Sequence, residues 1–133
     1  MVIERTTRQR NAIRDAIESA QRPLSPQEIL EAARGGGVAG LGIATVYRTL
    51  KLLISEGVVA AVTLSGDSPR YEVMRTGHHH HFQCRTCRRV FDMDGCPGDL
   101  RRLAPRGFRV EHHEVTLYGR CRDCGRQEAH PTR

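Results

Sequence analysis

The cysteines of this 133-residue chain include two pairs that could together hold one metal ion. Each pair has the spacing Cys-x-x-Cys, and the four residues are Cys84, Cys87, Cys121 and Cys124. Such a pair binds an ion through a tight turn, and four thiolates complete the closed tetrahedral shell of a structural Zn²⁺ site. A thioredoxin-like redox pair would explain only one of the two motifs. The fifth cysteine, Cys96, is expected to be a small half-buried residue, with metal or redox chemistry as the alternative.

Four consecutive histidines, residues 78–81, come just before the first cysteine pair. Successive side chains of an extended segment point to opposite faces, so this run can supply ligands to two separate sites. Imidazole suits zinc, nickel, copper and iron, and a carboxylate usually helps to hold such an ion. One predicted set is His78, His80, Asp99 and His113, and the other is Glu72, His79, His81 and Asp92.

Arginine dominates the charge of the chain, because the formal net charge is +6 and Lys51 is the single lysine. The guanidinium group matches phosphate geometry better than an ammonium group does, so nucleic acid is the leading polyanionic partner. No apolar run is long enough to cross a bilayer, and the first residues lack the hydrophobic segment of a secretory signal. We therefore expect a cytoplasmic protein with no membrane partner, in a reducing compartment where cysteines favour metal over disulfides.

The first 75 residues contain neither cysteine nor histidine, and they show the spacing of amphipathic helices. An apolar face recurs along a first helix at Ile13, Ala16, Ile17 and Ala20. Ser25, Pro26 and Glu28 form a capping box that opens a second helix. A third helix is predicted in "GIATVYRTLKLLISEG", and two β-prone runs, "VVAAVTL" and "RYEVM", follow as a hairpin. Three helices and a hairpin make a winged helix-turn-helix domain, which we assign to residues 1–75.

The third helix carries the candidate DNA-reading residues. Its buried stripe is predicted at Val46, Leu50 and Leu53, and its outward face at Tyr47, Arg48 and Lys51. Outward side chains on the last helix before a wing can reach base edges and phosphates. Arg8 and Arg10, near the start of the first helix, are placed to contact the phosphate backbone. A plain helical domain with solvated charges is the alternative.

The second part of the chain, residues 76–133, is predicted to be a small metal-binding α+β module, so the fold class is α+β. The runs "HFQCR" and "RVFDM" alternate like the strands of a hairpin. Residues 97–104 suggest a helix, and residues 108–119 suggest a further strand. Proline and glycine mark the breaks between these elements.

The combination of "GIATVYRTL", "HHHHFQCRTC", "HHEVTLYGRC" and the closing "CRDC" resembles the ferric uptake regulator (Fur) superfamily over nearly the whole chain. The resemblance implies a homodimeric, metal-dependent repressor that binds double-stranded operator DNA and is not an enzyme. It also implies an N-terminal winged-helix domain followed by a small C-terminal α/β dimerisation domain. The DNA-contacting positions that it implies are Arg10, Thr45, Tyr47 and Arg48.

The same resemblance assigns a role to each group of ligands. The four paired cysteines correspond to a structural zinc site. A site within the dimerisation domain falls on His78, His80, Asp99 and His113. An interdomain sensing site falls on Glu72, His79 and His81, with Asp92 as a further participant. Arg88 follows the first cysteine pair where the family usually has glycine, and we expect this to alter the turn slightly and leave the thiolates in place.

Two departures from the family pattern favour the zinc uptake regulator branch. Pro23 stands where iron and peroxide sensors usually have a histidine ligand before the second helix. His80 replaces the carboxylate of the "HHDH" run that is common in iron regulators. A set richer in nitrogen favours Zn²⁺ over Fe²⁺ or Mn²⁺ as the regulatory ion. An iron- or manganese-sensing repressor of the same superfamily is the alternative.

Two functions of other classes compete with a repressor. A zinc carrier or buffer would have no use for the outward face of the third helix. A zinc hydrolase would need an open coordination position and a positioned base, and the sequence has no HExxH motif. Both rivals leave part of the pattern unexplained.

Overall fold

The structure of the protein is a computed structural model that describes residues 2–75 and 79–127, with side chains described for residues 5–75 and 79–126. The chain divides into two compact units, Met1–Thr76 and Gly77–Arg133. The first unit contains three helices and a two-stranded sheet, and the second contains a three-stranded sheet and short helices. This confirms the α+β class. Among the described residues, no helix combines the length and apolar character that crossing a membrane requires.

The helices of the first unit are α1 (Val2–Ala20), α2 (Pro26–Gly35) and α3 (Ile43–Ser55). Ile13 and Ile17 of α1 are buried, so the predicted apolar face is confirmed. The capping box is also confirmed. The N–H of Glu28 donates to Oγ of Ser25 at 3.1 Å, and the N–H of Ser25 donates to Oε1 of Glu28 at 2.9 Å. These two bonds satisfy amides that an uncapped helix start would leave to water.

Helix α3 buries the predicted stripe of Val46, Leu50 and Leu53. Gly57 follows its C-terminal end with φ 74°, a left-handed conformation that glycine adopts without strain. The predicted hairpin is present as β1 (Val59–Val62) and β2 (Arg70–Val73), which pair antiparallel. Tyr71 of β2 exchanges two backbone hydrogen bonds of 2.8 Å with Leu24, which ties the wing to the segment between α1 and α2.

The second unit is built on a sheet of strand order β4-β3-β5. Strands β3 (His80–Cys84) and β4 (Val90–Met93) form an antiparallel hairpin, and β5 (Thr116–Gly119) runs parallel to β3. A short helix, α4 (Arg122–Gln127), follows β5. The sheet thus brings the end of β3 beside the end of β5, and each of these ends leads into one cysteine pair.

Two elements of the second unit are shorter than predicted. The helix expected over residues 97–104 is reduced to one 3-10 turn, Arg101–Leu103. Pro97 and Pro105 lack backbone donors, and the carboxylate of Asp99 accepts the N–H of Arg101 at 2.9 Å as in a local turn. The strand expected over residues 108–119 forms its ladder only from residue 116, because its neighbour β3 is five residues long.

Candidate metal centres

The four paired cysteines converge in the second unit. Their sulfur atoms all lie within 4.8 Å of one another, and Sγ of Cys87 lies 3.8 Å from Sγ of Cys121. Two thiolates bound to one tetrahedral zinc at about 2.3 Å lie about 3.8 Å apart, so this spacing fits the ion. Cys84 ends β3, Cys87 lies in the turn before β4, Cys121 follows β5, and Cys124 lies on α4.

The turn of the first cysteine pair accommodates Arg88, and the four sulfur atoms converge as expected. Arg88 adopts a left-handed φ of 68°, and its N–H donates to the carbonyl of Cys84 at 3.0 Å. The N–H of Cys87 donates to Sγ of Cys84 at 3.4 Å, and this contact lowers the pKa of the Cys84 thiol to about 5. Burial raises the pKa of the Cys124 thiol to about 12. At neutral pH Cys84 is therefore already a thiolate, whereas Cys124 must release a proton to bind a cation.

A second group of donors contains His80, Cys96 and His113, whose ligand atoms also lie within 4.8 Å of one another. Sγ of Cys96 lies 3.3 Å from Nε2 of His113. The rings of His80 and His113 are stacked, with centroids 5.1 Å apart and planes inclined by 30°. The sequence prediction for this site included both histidines and left out Cys96.

Asp99, a further member of that predicted set, does not belong to this group. Asp99 accepts two side-chain hydrogen bonds from Arg101, of 2.8 and 2.9 Å, and these bonds hold the pKa of the carboxyl at about 2. His78 lies outside the described residues. Sequence reasoning could have found Cys96 from its type, since thiolate is a common zinc ligand, but the fold of residues 94–115 decides what it meets.

A third group lies on the other side of the histidine run. Nε2 of His81 and Nε2 of His79 lie 3.2 and 3.5 Å from Oδ1 of Asp92, and the two rings meet edge to face with centroids 5.0 Å apart. The register of the hairpin explains the meeting, because His81 on β3 pairs directly with Asp92 on β4. Glu72 lies on β2 of the first unit, paired with Ala60 of β1.

The outward face of α3 is exposed as predicted. Tyr47 is 54 % exposed, and Arg48 and Lys51 are exposed beside it. A guanidinium N–H of Arg48 donates to Oγ1 of Thr45 at 3.0 Å, which orients the arginine along the helix. On α1 of the same unit, Arg8 and Arg10 are exposed as well. The first unit therefore presents exposed cationic side chains on two helices.

Comparison with known proteins finds relatives that match most of this chain. Residues 4–118 match the ferric uptake regulator family. The chain is 31% identical over 130 residues to the peroxide operon regulator of Bacillus subtilis, which covers 95% of this chain and 88% of that protein. A zinc-bound manganese uptake regulator of known structure is 27% identical with a TM-score of 0.73, covering 85% of this chain and 87% of that one. FurB of Mycobacterium tuberculosis, a zinc uptake regulator, is 31% identical with a TM-score of 0.50, covering 90% and 95%.

The chain therefore belongs to the ferric uptake regulator family. It is a metal-responsive, DNA-binding transcriptional regulator and not an enzyme. The hydrolase alternative is thereby excluded. The relatives themselves respond to different signals, since their names refer to peroxide, manganese and zinc.

Proposed function

We propose that this protein is a zinc-responsive repressor that binds operator DNA in the cytoplasm as a homodimer and controls metal-uptake genes. Residues 1–75 bind the DNA, and residues 76–133 hold the metal ions and pair the two protomers. The observation that carries the proposal is the convergence of His79, His81 and Asp92 at 3.2–3.5 Å, on the hairpin that directly follows the DNA-binding half. Two imidazoles and a carboxylate can supply three of the four ligands of a tetrahedral ion, and one further ligand would complete the shell.

Three features support zinc as the regulatory ion. Two donors of the regulatory group are imidazoles, which suit zinc, whereas manganese prefers oxygen ligands. Pro23 replaces a histidine expected in iron and peroxide sensors, and His80 replaces a carboxylate. Fe²⁺ or Mn²⁺ is the second candidate, because two histidines with one carboxylate also suit Fe²⁺. Among similar proteins, FurB is a zinc uptake regulator, and a manganese uptake regulator binds zinc.

Regulation follows if the ion also takes Glu72 as a ligand. Glu72 belongs to the wing of the DNA-binding half, whereas His79 and His81 belong to the other half, so one ion would fix the two halves relative to each other. Two recognition helices of a dimer must lie about one duplex turn, or a multiple of it, apart to enter successive major grooves. Converting a population from mostly open to mostly closed takes about 5.5 kcal/mol of differential binding, which a few coordinate bonds can supply.

The remaining metal groups have other roles in this proposal. The four paired cysteines hold a structural Zn²⁺ that stabilises the second unit. The second site uses His80 and His113, and the predicted set adds His78 and Asp99. When bound, each divalent ion supplies positive charge and fixed geometry, while the arginines attract phosphate. The DNA-contacting residues are Arg8, Arg10, Thr45, Tyr47, Arg48 and Lys51.

A titration with buffered metals tests the choice of ion. Operator DNA is first selected from random duplexes with zinc-loaded protein, and binding is then measured at controlled free Zn²⁺, Fe²⁺ and Mn²⁺, with elemental analysis of each sample. For each metal, the free concentration that gives half-maximal DNA binding is compared with the free concentration at which cells buffer that metal. We expect this ratio to be lowest for Zn²⁺. If DNA binding depends on Fe²⁺ or Mn²⁺ and is unaffected by Zn²⁺, the protein belongs to another branch of the family.

Variants of the histidine run test the regulatory site. His81→Ala, His79→Ala and Glu72→Ala are each expected to weaken metal-dependent DNA binding while the dimer stays folded. His112→Ala is the matched control, because His112 is an exposed histidine of the same unit that lies outside the three ligand groups. Unchanged DNA affinity in all three site variants would refute the regulatory role.

Variants of α3 test the DNA-reading face. Loss of Tyr47 or Arg48 is expected to reduce operator affinity by about 1–3 kcal/mol each, without loss of zinc. Arg106→Ala removes the same charge from an exposed position of the other unit and serves as the control. If the α3 variants keep specific binding, the DNA-reading surface lies elsewhere.

A further inference from the structure

We infer that Cys96 is a thiolate ligand of the second metal site, where it joins His80 and His113 and makes the site selective for zinc-like ions. The inference rests on the proposed function, because it names the sulfur ligand of a site that the proposal describes through its histidines. It changes the chemistry of that site from nitrogen and oxygen to nitrogen and sulfur.

The spacing of the three donors carries the inference. A nitrogen at about 2.05 Å and a thiolate at about 2.3 Å from one tetrahedral ion lie about 3.5 Å apart. Sγ of Cys96 and Nε2 of His113 lie 3.3 Å apart, and a nitrogen of His80 completes a set within 4.8 Å. A sulfur and a nitrogen at this distance could share one hydrogen bond, but the third donor turns the pair into half of a coordination shell.

The path of the chain after β4 brings Cys96 close to His113. Strand β4 ends at Met93, and Pro97 together with Gly98 at φ 99° bends the segment that follows, so Cys96 is held on a fixed turn. The nearest predicted oxygen ligand, Asp99, is engaged instead by the side chain and the N–H of Arg101. Cys96, and not Asp99, is therefore the residue of this segment that joins His80 and His113 in one group of donors.

His80 must rearrange before it can bind a metal ion. The N–H of Val115 donates to Nδ1 of His80 at 3.0 Å, which places the proton of the neutral ring on Nε2. A metal ion binds an imidazole only through a nitrogen without a proton, so His80 must give up this hydrogen bond or turn its ring. Cys96 and His113 thus form the part of the site that needs least rearrangement, and His80, only 1 % exposed, completes it from the sheet.

Sulfur at this position determines which ions the site accepts. Thiolate ligands favour zinc, whereas carboxylate, carbonyl and water favour manganese and magnesium. Three protein ligands leave one position of a tetrahedral ion open, and Cys96 is exposed, so the ion would face solvent or a further ligand. A single substitution, Cys96→Asp, should therefore move the metal preference of the site without touching the four-thiolate site.

Cobalt spectroscopy on the full chain tests the inference. Every protein in this test also carries His81→Ala, so that the group of His79, His81 and Asp92 does not take up the added ion. The four-thiolate site is first filled with Zn²⁺ and its retention is checked by elemental analysis. Co²⁺ alone is then titrated into this parent protein, called wild type below because positions 96 and 113 are unchanged, and into its Cys96→Ser and Cys96→Asp variants. Wild type is expected to gain a thiolate-to-cobalt charge-transfer band with the intensity of one thiolate, calibrated on protein with cobalt in the four-thiolate site. Cys96→Ser should lose the band and bind Co²⁺ at least about tenfold more weakly, since even indirect ligand partners are worth 10- to 100-fold.

Two histidine variants separate this inference from the proposed site itself. His113→Ala is expected to lose both the band and most of the cobalt affinity, whereas His112→Ala, its neighbour in the chain, should behave as wild type. Wild type without a charge-transfer band, but with cobalt binding that His113→Ala abolishes, would overturn the role of Cys96 and keep the histidine site. Cobalt binding that neither Cys96→Ser nor His113→Ala weakens would overturn both.

The metal preference gives a second readout. The ratio of Co²⁺ to Mn²⁺ affinity is expected to fall at least about tenfold from wild type to Cys96→Asp, because an oxygen ligand replaces sulfur. An unchanged ratio would show that position 96 does not contact the ion. The four-thiolate zinc content should be the same in both proteins.

Discussion

The two units of the chain use different physical means to stay folded. The first unit has a core cluster of eleven buried apolar residues from three helices, the segments that connect them and the hairpin. In the described part of the second unit, the buried apolar residues are Cys84, Val90 and Cys124, and two of them are candidate metal ligands. The buried polar residues there are His80 and Gln83. One unit relies on apolar burial, and the other relies on groups that bind an ion.

This difference explains how one chain can be both a stable reader and a responsive sensor. Burial of apolar side chains does not depend on metal concentration, so we expect the first unit, the proposed DNA-binding half, to keep its shape when metal is scarce. A small unit with few buried apolar groups needs a metal, a disulfide or a partner chain to fold. We therefore expect the structure of the second unit to depend on ion occupancy.

The largest effect is expected from removing one structural ligand. Cys121→Ser should strip the four-cysteine site of zinc and unfold the second unit, because structural zinc supplies about 10–16 kcal/mol of apparent binding free energy. Zinc content and hydrogen exchange measure this, with amides of β3–β5 losing protection and amides of α1–α3 keeping theirs. Cys96→Ser is the control cysteine and should retain the structural zinc. A Cys121→Ser protein with full zinc content would refute the four-thiolate assignment.

A cavity in the first unit should have the complementary effect. Leu50→Ala removes a buried side chain of α3, and we expect a loss of about 2–5 kcal/mol in the free energy of unfolding of that unit. Chemical denaturation followed by helical signal measures the loss, while zinc content stays at its wild-type value. Ile54→Ala, on the exposed side of the same helix, should change stability by less than about 0.5 kcal/mol. Equal effects of the two substitutions would contradict the core described for this unit.

The cap of α2 should contribute less than the core. Ser25→Ala removes the acceptor of the Glu28 N–H, and we expect a loss of about 1 kcal/mol in the stability of the first unit. Ser65→Ala, at an exposed turn of the hairpin, is the matched control. If Ser25→Ala leaves the free energy of unfolding unchanged, water replaces the serine cap at no cost in stability.

The smallest effect concerns the charge of Glu28. Burial alone would raise the pKa of this carboxyl, but the N–H of Ser25 and the guanidinium groups of Arg22 and Arg70, each 3.0 Å away, outweigh burial and lower the pKa below 4.5. A lowered pKa in the folded state means that the charge stabilises the fold above about pH 4.5 and that this contribution is lost as pH falls through the folded value.

Glu28→Gln keeps a cap acceptor and removes the charge. The wild type should be more stable than this variant by about 1 kcal/mol or less at neutral pH, and the difference should narrow as the solution becomes more acidic than about pH 4.5. Denaturation of both proteins over this range measures the difference. If the difference in stability between wild type and Glu28→Gln grows as the pH falls, the ion pairs of Glu28 do not stabilise the fold.

The sequence predicted the first unit better than the second for a physical reason. The capping box at Ser25, the buried stripe of α3 and the hairpin are local patterns, and local patterns determine helices and turns that pack on a large core. Residues 94–115 instead follow prolines, glycines and side-chain hydrogen bonds such as Asp99 with Arg101, which local periodicity does not encode. The pairing of β3 with β5 in parallel also depends on residues far apart in the chain.

The same reasoning applies to the ligand groups. The convergence of the four cysteines was predictable, because one Cys-x-x-Cys pair supplies only half of a tetrahedral shell and a second pair can complete it. His81 and Asp92 were predictable as members of one face, and the strand register accounts for their distance. Cys96 was not predictable as a neighbour of His113, because 17 residues of irregular chain separate the two. Alternation along a strand identifies ligands, whereas the loops that bring their partners must be seen in the fold.

One measurement tests most directly whether metal held by the second unit controls DNA binding by the first. Equilibrium affinity for the selected operator is measured with the full chain at two free zinc concentrations, with the four-thiolate site filled at both. Tighter binding at the higher concentration, by about 5- to 150-fold as is typical of coupled sites, is the predicted result. Equal affinity at the two concentrations would contradict the account.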